Sequence, residues 1–243
     1  INVSSDGGGS MGSFLRNHSV SIPLLSLCLL FLIAQSISGY FNYNQQQQQH
    51  HQSLISYSEY LTTGDYWETI AENFEGEFIS LAAYVLLTTF FVEKGAKESR
   101  KPGQKDIPEF LQQRQEIQEA RAGKPIPPLE RTKQPIRWLY QHSLFLAFFL
   151  LFLGSISLHG IAGLQSYNST LTEHGQQPVS MFGYLSSPLF WLQSVRNWQA
   201  GFLSTGLLAA FSIFLRERGS PVSKGTDQPD EETGEPEQPS KIM

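Results

Sequence analysis

Charge is missing from this chain over distances that no water-facing fold tolerates. No Asp, Glu, Lys or Arg occurs from Asn17 to Ser58 or from Trp138 to Thr172, and shorter charge-free runs cover Phe78–Val92 and Asn197–Leu215. A hydrocarbon layer about 30 Å thick needs about 20 apolar helical residues. In lipid the backbone must satisfy its own hydrogen bonds, so such segments are helices. Spans are expected near 21–41, 74–92, 138–162 and 197–215. The average hydropathy is negative, but it averages apolar blocks with polar ones. A soluble bundle would need polar helix faces that these runs lack.

The chain also repeats itself. Residues 14–100 slide onto residues 138–224 without a gap, and about a quarter of the aligned residues are identical. Leu15, His18 and Ser19 meet Leu139, His142 and Ser143. Gly39, Tyr43, Asn44, His50 and Gln52 meet Gly163, Tyr167, Asn168, His174 and Gln176. Tyr60, Trp67, Asn73, Phe78, Ser80, Phe90, Glu93 and Gly95 also meet their like. The expected fold is therefore an all-α integral membrane bundle of four transmembrane helices, built as two tandem hairpins. Each copy has an even number of spans, so both insert the same way up. Their pseudo-two-fold axis runs along the membrane normal, as in parallel repeats.

Basic residues set the orientation. Of 17 Lys and Arg, all but Arg196 lie before the first span, between spans two and three, or after span four. The termini and the 93–137 segment are expected in the cytoplasm, with loops 42–73 and 165–196 outside. The divisions expected are a loose tail over 1–13, a first repeat over 14–100, a linker over 101–135, a second repeat over 136–224 and a disordered acidic tail over 225–243. Ile107, Phe110, Leu111, Arg114 and Ile117 predict a short cytoplasmic helix near 107–121. Arg16 ahead of span one and small residues near Ala34 and Ser36 look like a signal peptide, but the aligned copy at 138–162 is internal, which argues for a retained span. Gly- and Ser-rich residues 1–10 are expected to be foreign to the natural start at Met11.

Local signals sharpen the helix ends. Gln45–Gln49 with His50 and His51 reads as a mobile polar loop. Leu54–Leu61 is a short amphipathic stretch. Ser187 suits an N-cap and Pro188 a first helical turn, and Thr63 is the aligned cap. The helices starting there run on toward Val92 and Leu215. Tyr66, Trp67, Phe190, Trp191 and Trp198 predict an interfacial aromatic belt. Gly95 and Gly219 mark helix exits.

Ionisable residues at membrane depth are the first place to look for function. Glu72, Glu75 and Glu77 form a candidate ion or proton site where span two enters the outer leaflet. Glu68, Glu72 and Glu75 share one helical face at i, i+4 and i+7. Glu72 aligns with Arg196, and equal depth about a two-fold axis lets Arg196 pair with Glu72 or Glu75. The histidines fall into matched polar pairs, His18 with His142 and His50 with His174. These suit interfacial anchoring better than metal binding or pH sensing. His159 aligns with Gln35, and both suit hydrogen bonds between helices. Gly160 with Gly163, and Gly201 with Thr205, are small-residue spacings for close packing within the bundle or between copies of this chain. Cys28 alone gives neither an internal disulfide nor a thiolate metal site. No phosphate loop, nucleophile triad, zinc signature or haem motif is present. No cofactor, metal or nucleic-acid partner is expected, and the lipid bilayer is the expected partner.

The set Trp138-Leu139-Tyr140 with His142-Ser143, Glu173-His174-Gly175, Pro178, Tyr184-Leu185-Ser186-Ser187, Glu72-Asn73-Phe74-Glu75-Gly76-Glu77-Phe78, Ala82-Ala83-Tyr84-Val85-Leu86-Leu87-Thr88 and Phe214-Leu215-Arg216-Glu217-Arg218-Gly219-Ser220 resembles a bacterial membrane-protein family, a domain of unknown function built from duplicated two-span units. The resemblance covers about residues 14–224. It departs at Gly201, where Glu is expected, and at Val222, which aligns with Glu98. The second copy thus lacks carboxylates that the first retains. The resemblance implies the architecture and a bacterial inner membrane, and no activity. A non-enzymatic structural or interaction protein is the first expectation. A small cation or proton transporter using the outer carboxylates is the alternative.

Overall fold

The computed structural model describes residues 17–96, 133–218 and 220–233. The expected linker helix near 107–121 and the tail 1–13 lie outside the described residues. Among those described, every regular element is a helix and no strand occurs. The chain divides after Trp67 into two compact units.

The first unit contains α1, Ser21–Gln49, the short α2, Tyr57–Tyr60, and the opening turn of α3, Gly64–Phe90. Helix α1 has 29 residues, about 44 Å at 1.5 Å each. It runs through Gln45–Gln49, which corrects the expected polar loop. Glutamine is a good helix former, so an established helix propagates through it. The helix stops at His50, and His51 takes φ 56°, a left-handed exit. The chain then folds back and is clamped. Asn44 donates through Nδ2 to the Ile55 carbonyl at 3.0 Å, and accepts from the Ile55 N–H at 2.9 Å. Ser56 caps α2 in a reciprocal capping box with Glu59. Tyr60 is buried against Gly39, where any Cβ would overlap the phenol. Thr63 Oγ1 accepts from the Tyr66 N–H at 3.3 Å and starts α3.

The second unit holds the rest of α3, then α4 (Gln134–Gln141), α5 (Ser143–Glu173), α6 (Met181–Leu185) and α7 (Pro188–Phe214). The same local devices recur 124 positions on. Asn168 brackets Val179 with bonds of 3.0 and 2.8 Å. Ser180 caps α6 and Ser187 caps α7, with Pro188 in the first turn. Tyr184 is fully buried against Gly163. Helices α3 and α7 each have 27 residues and start and stop at aligned positions.

The expected span at 138–162 is displaced. The helix breaks at His142, whose ring packs on Trp138 with centroids 4.7 Å apart. The long apolar helix begins at Ser143 and runs to Glu173. Pro135, Arg137 and Trp138 belong to the separate α4, whose mixed composition does not continue the apolar run.

Of the four expected spans, two helices are long and apolar enough to cross a membrane, α1 and α5. Helices α3 and α7 carry their charged, Asn and Gln residues toward the first half and fall short. The apolar side chains of α1 and α5 are largely uncovered, with Leu25 at 69% and Leu150 at 65% exposure. A core helix of a soluble protein would bury them.

Helices α3 and α7 run parallel with matched fourfold spacing. Glu68 bonds Gln193, Glu72 bonds Asn197, and Ser80 bonds Thr205. Between these contacts Gly76 meets the Asn197 carbonyl, and Gly201 meets the Gly76 carbonyl so closely that a Cβ on either glycine would overlap backbone oxygen. The second unit therefore uses Gly201 for packing within itself.

Part of the acidic tail makes contacts. Arg216 Nη2 meets Asp230 Oδ1 at 2.6 Å, and Lys224 Nζ donates to the carbonyls of Pro229 and Asp230. The Gly95 N–H donates to Thr233 Oγ1 at 2.8 Å. These bonds hold residues up to Thr233 against the ends of α3 and α7.

Candidate functional site

The i, i+4, i+7 spacing of Glu68, Glu72 and Glu75 places three carboxyl groups on one face of α3. That face turns into the second unit: Glu75 is fully buried, and Glu68 and Glu72 nearly so. Helix α5 brings His159 to meet them, with a side chain of zero exposure. Its Nδ1 lies 2.8 Å from Glu75 Oε2. The other Glu75 oxygen accepts from Trp198 Nε1–H of α7 at 2.6 Å. The indole can only donate, and His159 Nδ1 donates to the second oxygen when it carries the proton.

The second ring nitrogen of His159, Nε2, faces Glu72. It is buried, has no hydrogen-bond partner among the described residues, and stands 3.6 Å from Glu72 Oε1. Phe190 covers the imidazole face at 4.7 Å between centroids and excludes water from that side.

Each remaining carboxyl is steadied through one oxygen. Glu68 Oε1 accepts from Gln193 Nε2 at 3.0 Å and from the Tyr184 hydroxyl at 3.2 Å. Burial first, and then the neighbouring Glu68, raise the Tyr184 pKa above that of an ordinary phenol, so the hydroxyl remains a donor. Glu72 Oε2 accepts from Asn197 at 3.3 Å, and Arg196 Nη2 stands 3.6 Å from it. The Arg196 side chain is 66% exposed, so water screens most of its charge from the cluster.

The other residues singled out in the sequence lie elsewhere. Glu77 is exposed and does not join Glu72 and Glu75, because two residues along a helix turn a side chain by about 200°. His18 is exposed, and His50, His142 and His174 are exposed at the ends of α1 and α5. The expected aromatic belt divides. Trp67 and Trp191 are exposed, while Phe190 and Trp198 turn toward His159 and Glu75. Sequence reading named Glu72 and Glu75 as site residues and left Glu68 as a face-mate. It assigned His159 only to helix bridging, and missed Tyr184, Gln193 and Trp198 as partners. The available signal was a histidine inside a charge-free helix beside a three-carboxylate helix face.

The model of a family described as a domain of unknown function, DUF6766, matches residues 11–235. No curated protein matches the chain, and no solved structure matches it.

Proposed function

The chain belongs to the DUF6766 family, a domain of unknown function, and from that premise we propose that it is a non-enzymatic, multi-pass membrane protein that holds a cation in its helical core. In this reading the two repeats each contribute two spans to a bacterial inner membrane. The termini and linker are cytoplasmic, and the lipid bilayer is the partner. Support for the membrane placement comes from the uncovered leucines of α1 and α5. Support for the repeats comes from the matched clamps at Asn44 and Asn168 and the matched caps at Thr63 and Ser187.

The observation that carries the function is the buried His159 Nε2 facing Glu72, beside two further buried carboxyl groups. Buried charge persists only when it is compensated. Arg196, and His159 when it is protonated, bring at most two positive charges to three carboxyl groups. A cation drawn from solution supplies the rest.

The test is thermal unfolding of the purified protein against a panel of alkali, alkaline-earth and transition-metal chlorides at fixed ionic strength. At least one cation raises the midpoint of the wild type and has no such effect on Glu72→Gln. If no cation shifts the midpoint, the cluster is a packing element and the protein takes the structural role. Flux of the stabilising ion into liposomes, measured for wild type beside Glu75→Gln, separates a carrier or channel from a protein that only retains its ion.

A further inference from the structure

The geometry points to the ion's class: a divalent first-row transition metal bound by Glu68, Glu72 and His159, with Glu75 as the residue that orients the histidine. This rests on the cation reading above and deepens it.

One ligand atom from each of Glu68, Glu72 and His159 lies within 4.8 Å of the others. Two ligands about 2.1 Å from a tetrahedral ion stand about 3.4 Å apart. The 3.6 Å between His159 Nε2 and Glu72 Oε1 matches that edge. It is too long for a charge-assisted hydrogen bond, which closes to about 2.8 Å.

The independent observation is the imidazole itself. Its Nε2 is buried, without a hydrogen-bond partner among the described residues and 3.6 Å from a Glu72 oxygen, while Nδ1 is taken by Glu75. A carboxylate on the far nitrogen of a ligating histidine fixes the tautomer and strengthens the donor. The other two ligands are prepared in the same way. Tyr184 and Gln193 engage one oxygen of Glu68 and leave the second. Asn197 engages Oε2 of Glu72 and leaves Oε1, the atom that faces the histidine.

Donor chemistry narrows the ion. One imidazole nitrogen with two carboxylates suits zinc, cobalt, manganese or ferrous iron. Calcium and magnesium favour all-oxygen shells, and cuprous copper favours sulfur. Three protein ligands leave a further coordination position for water or another small oxygen ligand.

The full chain, purified in detergent and stripped with chelator, is titrated with Co²⁺, and then with Zn²⁺ as a competitor. The expected result is about one Co²⁺ per chain, with a visible d–d absorption band that Zn²⁺ abolishes. His159→Gln loses the band. Glu75→Gln weakens binding by about 10- to 100-fold, as outer partners of metal ligands do. Glu77→Gln, exposed on the same helix, binds as the wild type does. Each variant's melting midpoint is recorded without metal, so that misfolding is not read as lost binding. Absence of Co²⁺ and Zn²⁺ binding by the wild type overturns the inference, as does wild-type binding by folded His159→Gln. If sodium, potassium, magnesium or calcium stabilises the protein while Co²⁺ and Zn²⁺ do not, the metal class is wrong and the cation reading stands. If no cation acts, both fail.

Discussion

The α3–α7 crossing makes a sharp prediction at Gly201. A methyl group there would overlap the Gly76 carbonyl oxygen and lie 3.1 Å from Ser80 Oγ. The Gly76 oxygen is backbone, so no rotamer change relieves the overlap, and the two helices must separate. Ser80 is fully buried, and the flanking bonds are already long, 3.3 Å for Asn197–Glu72 and 3.4 Å for Thr205–Ser80. A shift of a few tenths of an ångström weakens both. Overpacking of a filled interior costs about 1–3 kcal/mol, and backbone contact places Gly201→Ala at the upper end. At about 2–4 °C per kcal/mol for a chain of this size, the midpoint falls by about 6–12 °C. Gly206→Ala, on the same helix, is the control. A Cβ there meets nothing within 4 Å, so the gain in helix propensity, up to about 1 kcal/mol, is unopposed. The assay is thermal unfolding of both variants in one detergent, followed by circular dichroism. A Gly201→Ala protein as stable as Gly206→Ala would refute the close crossing and the register built on it.

Two further outcomes follow from side-chain geometry. In a double-mutant cycle, Arg196→Gln and Glu72→Gln should couple by less than about 1 kcal/mol, because the Arg196 side chain is largely exposed. Coupling above about 2 kcal/mol would mean that Arg196 is buried in the cluster. Glu59 has its pKa lowered from 4.5, chiefly by the backbone N–H of Ser56 and then by that residue's side chain. A depressed carboxyl stabilises above its unfolded pKa, and loses that contribution as pH falls through the folded value. The α2 cap should therefore loosen below about pH 4.5, seen as an upfield move of the Ser56 amide proton in an NMR titration. Gly183 stands at the aligned position of α6, so that cap has no carboxyl to titrate, and a pH-dependent Ser180 amide would contradict the assignment.

Local chemistry wrote much of this protein into its sequence. Ser187 before Pro188, and Thr63 at the aligned position, mark helix starts because a hydroxyl can take up an orphan N–H there. Charge-free runs announce long apolar helices, since charge cannot be carried into lipid. The spacing of Glu68, Glu72 and Glu75 fixes a shared face, because helix periodicity relates residues of one helix and needs no neighbour. The same arithmetic could have excluded Glu77. Packing decided the rest. His159 is 84 residues from Glu75, and no period within a helix states which rotation of α5 meets which rotation of α3. Trp198 resembled its interfacial neighbours until the crossing at Gly76 and Gly201 turned it toward Glu75. Tyr184 became a donor to Glu68 because Gly163 lets its ring pass close to α5. A sequence determines which face of each helix is polar. Which polar faces meet, and which nitrogen is left without a partner, depends on interhelical distances that only the folded packing sets.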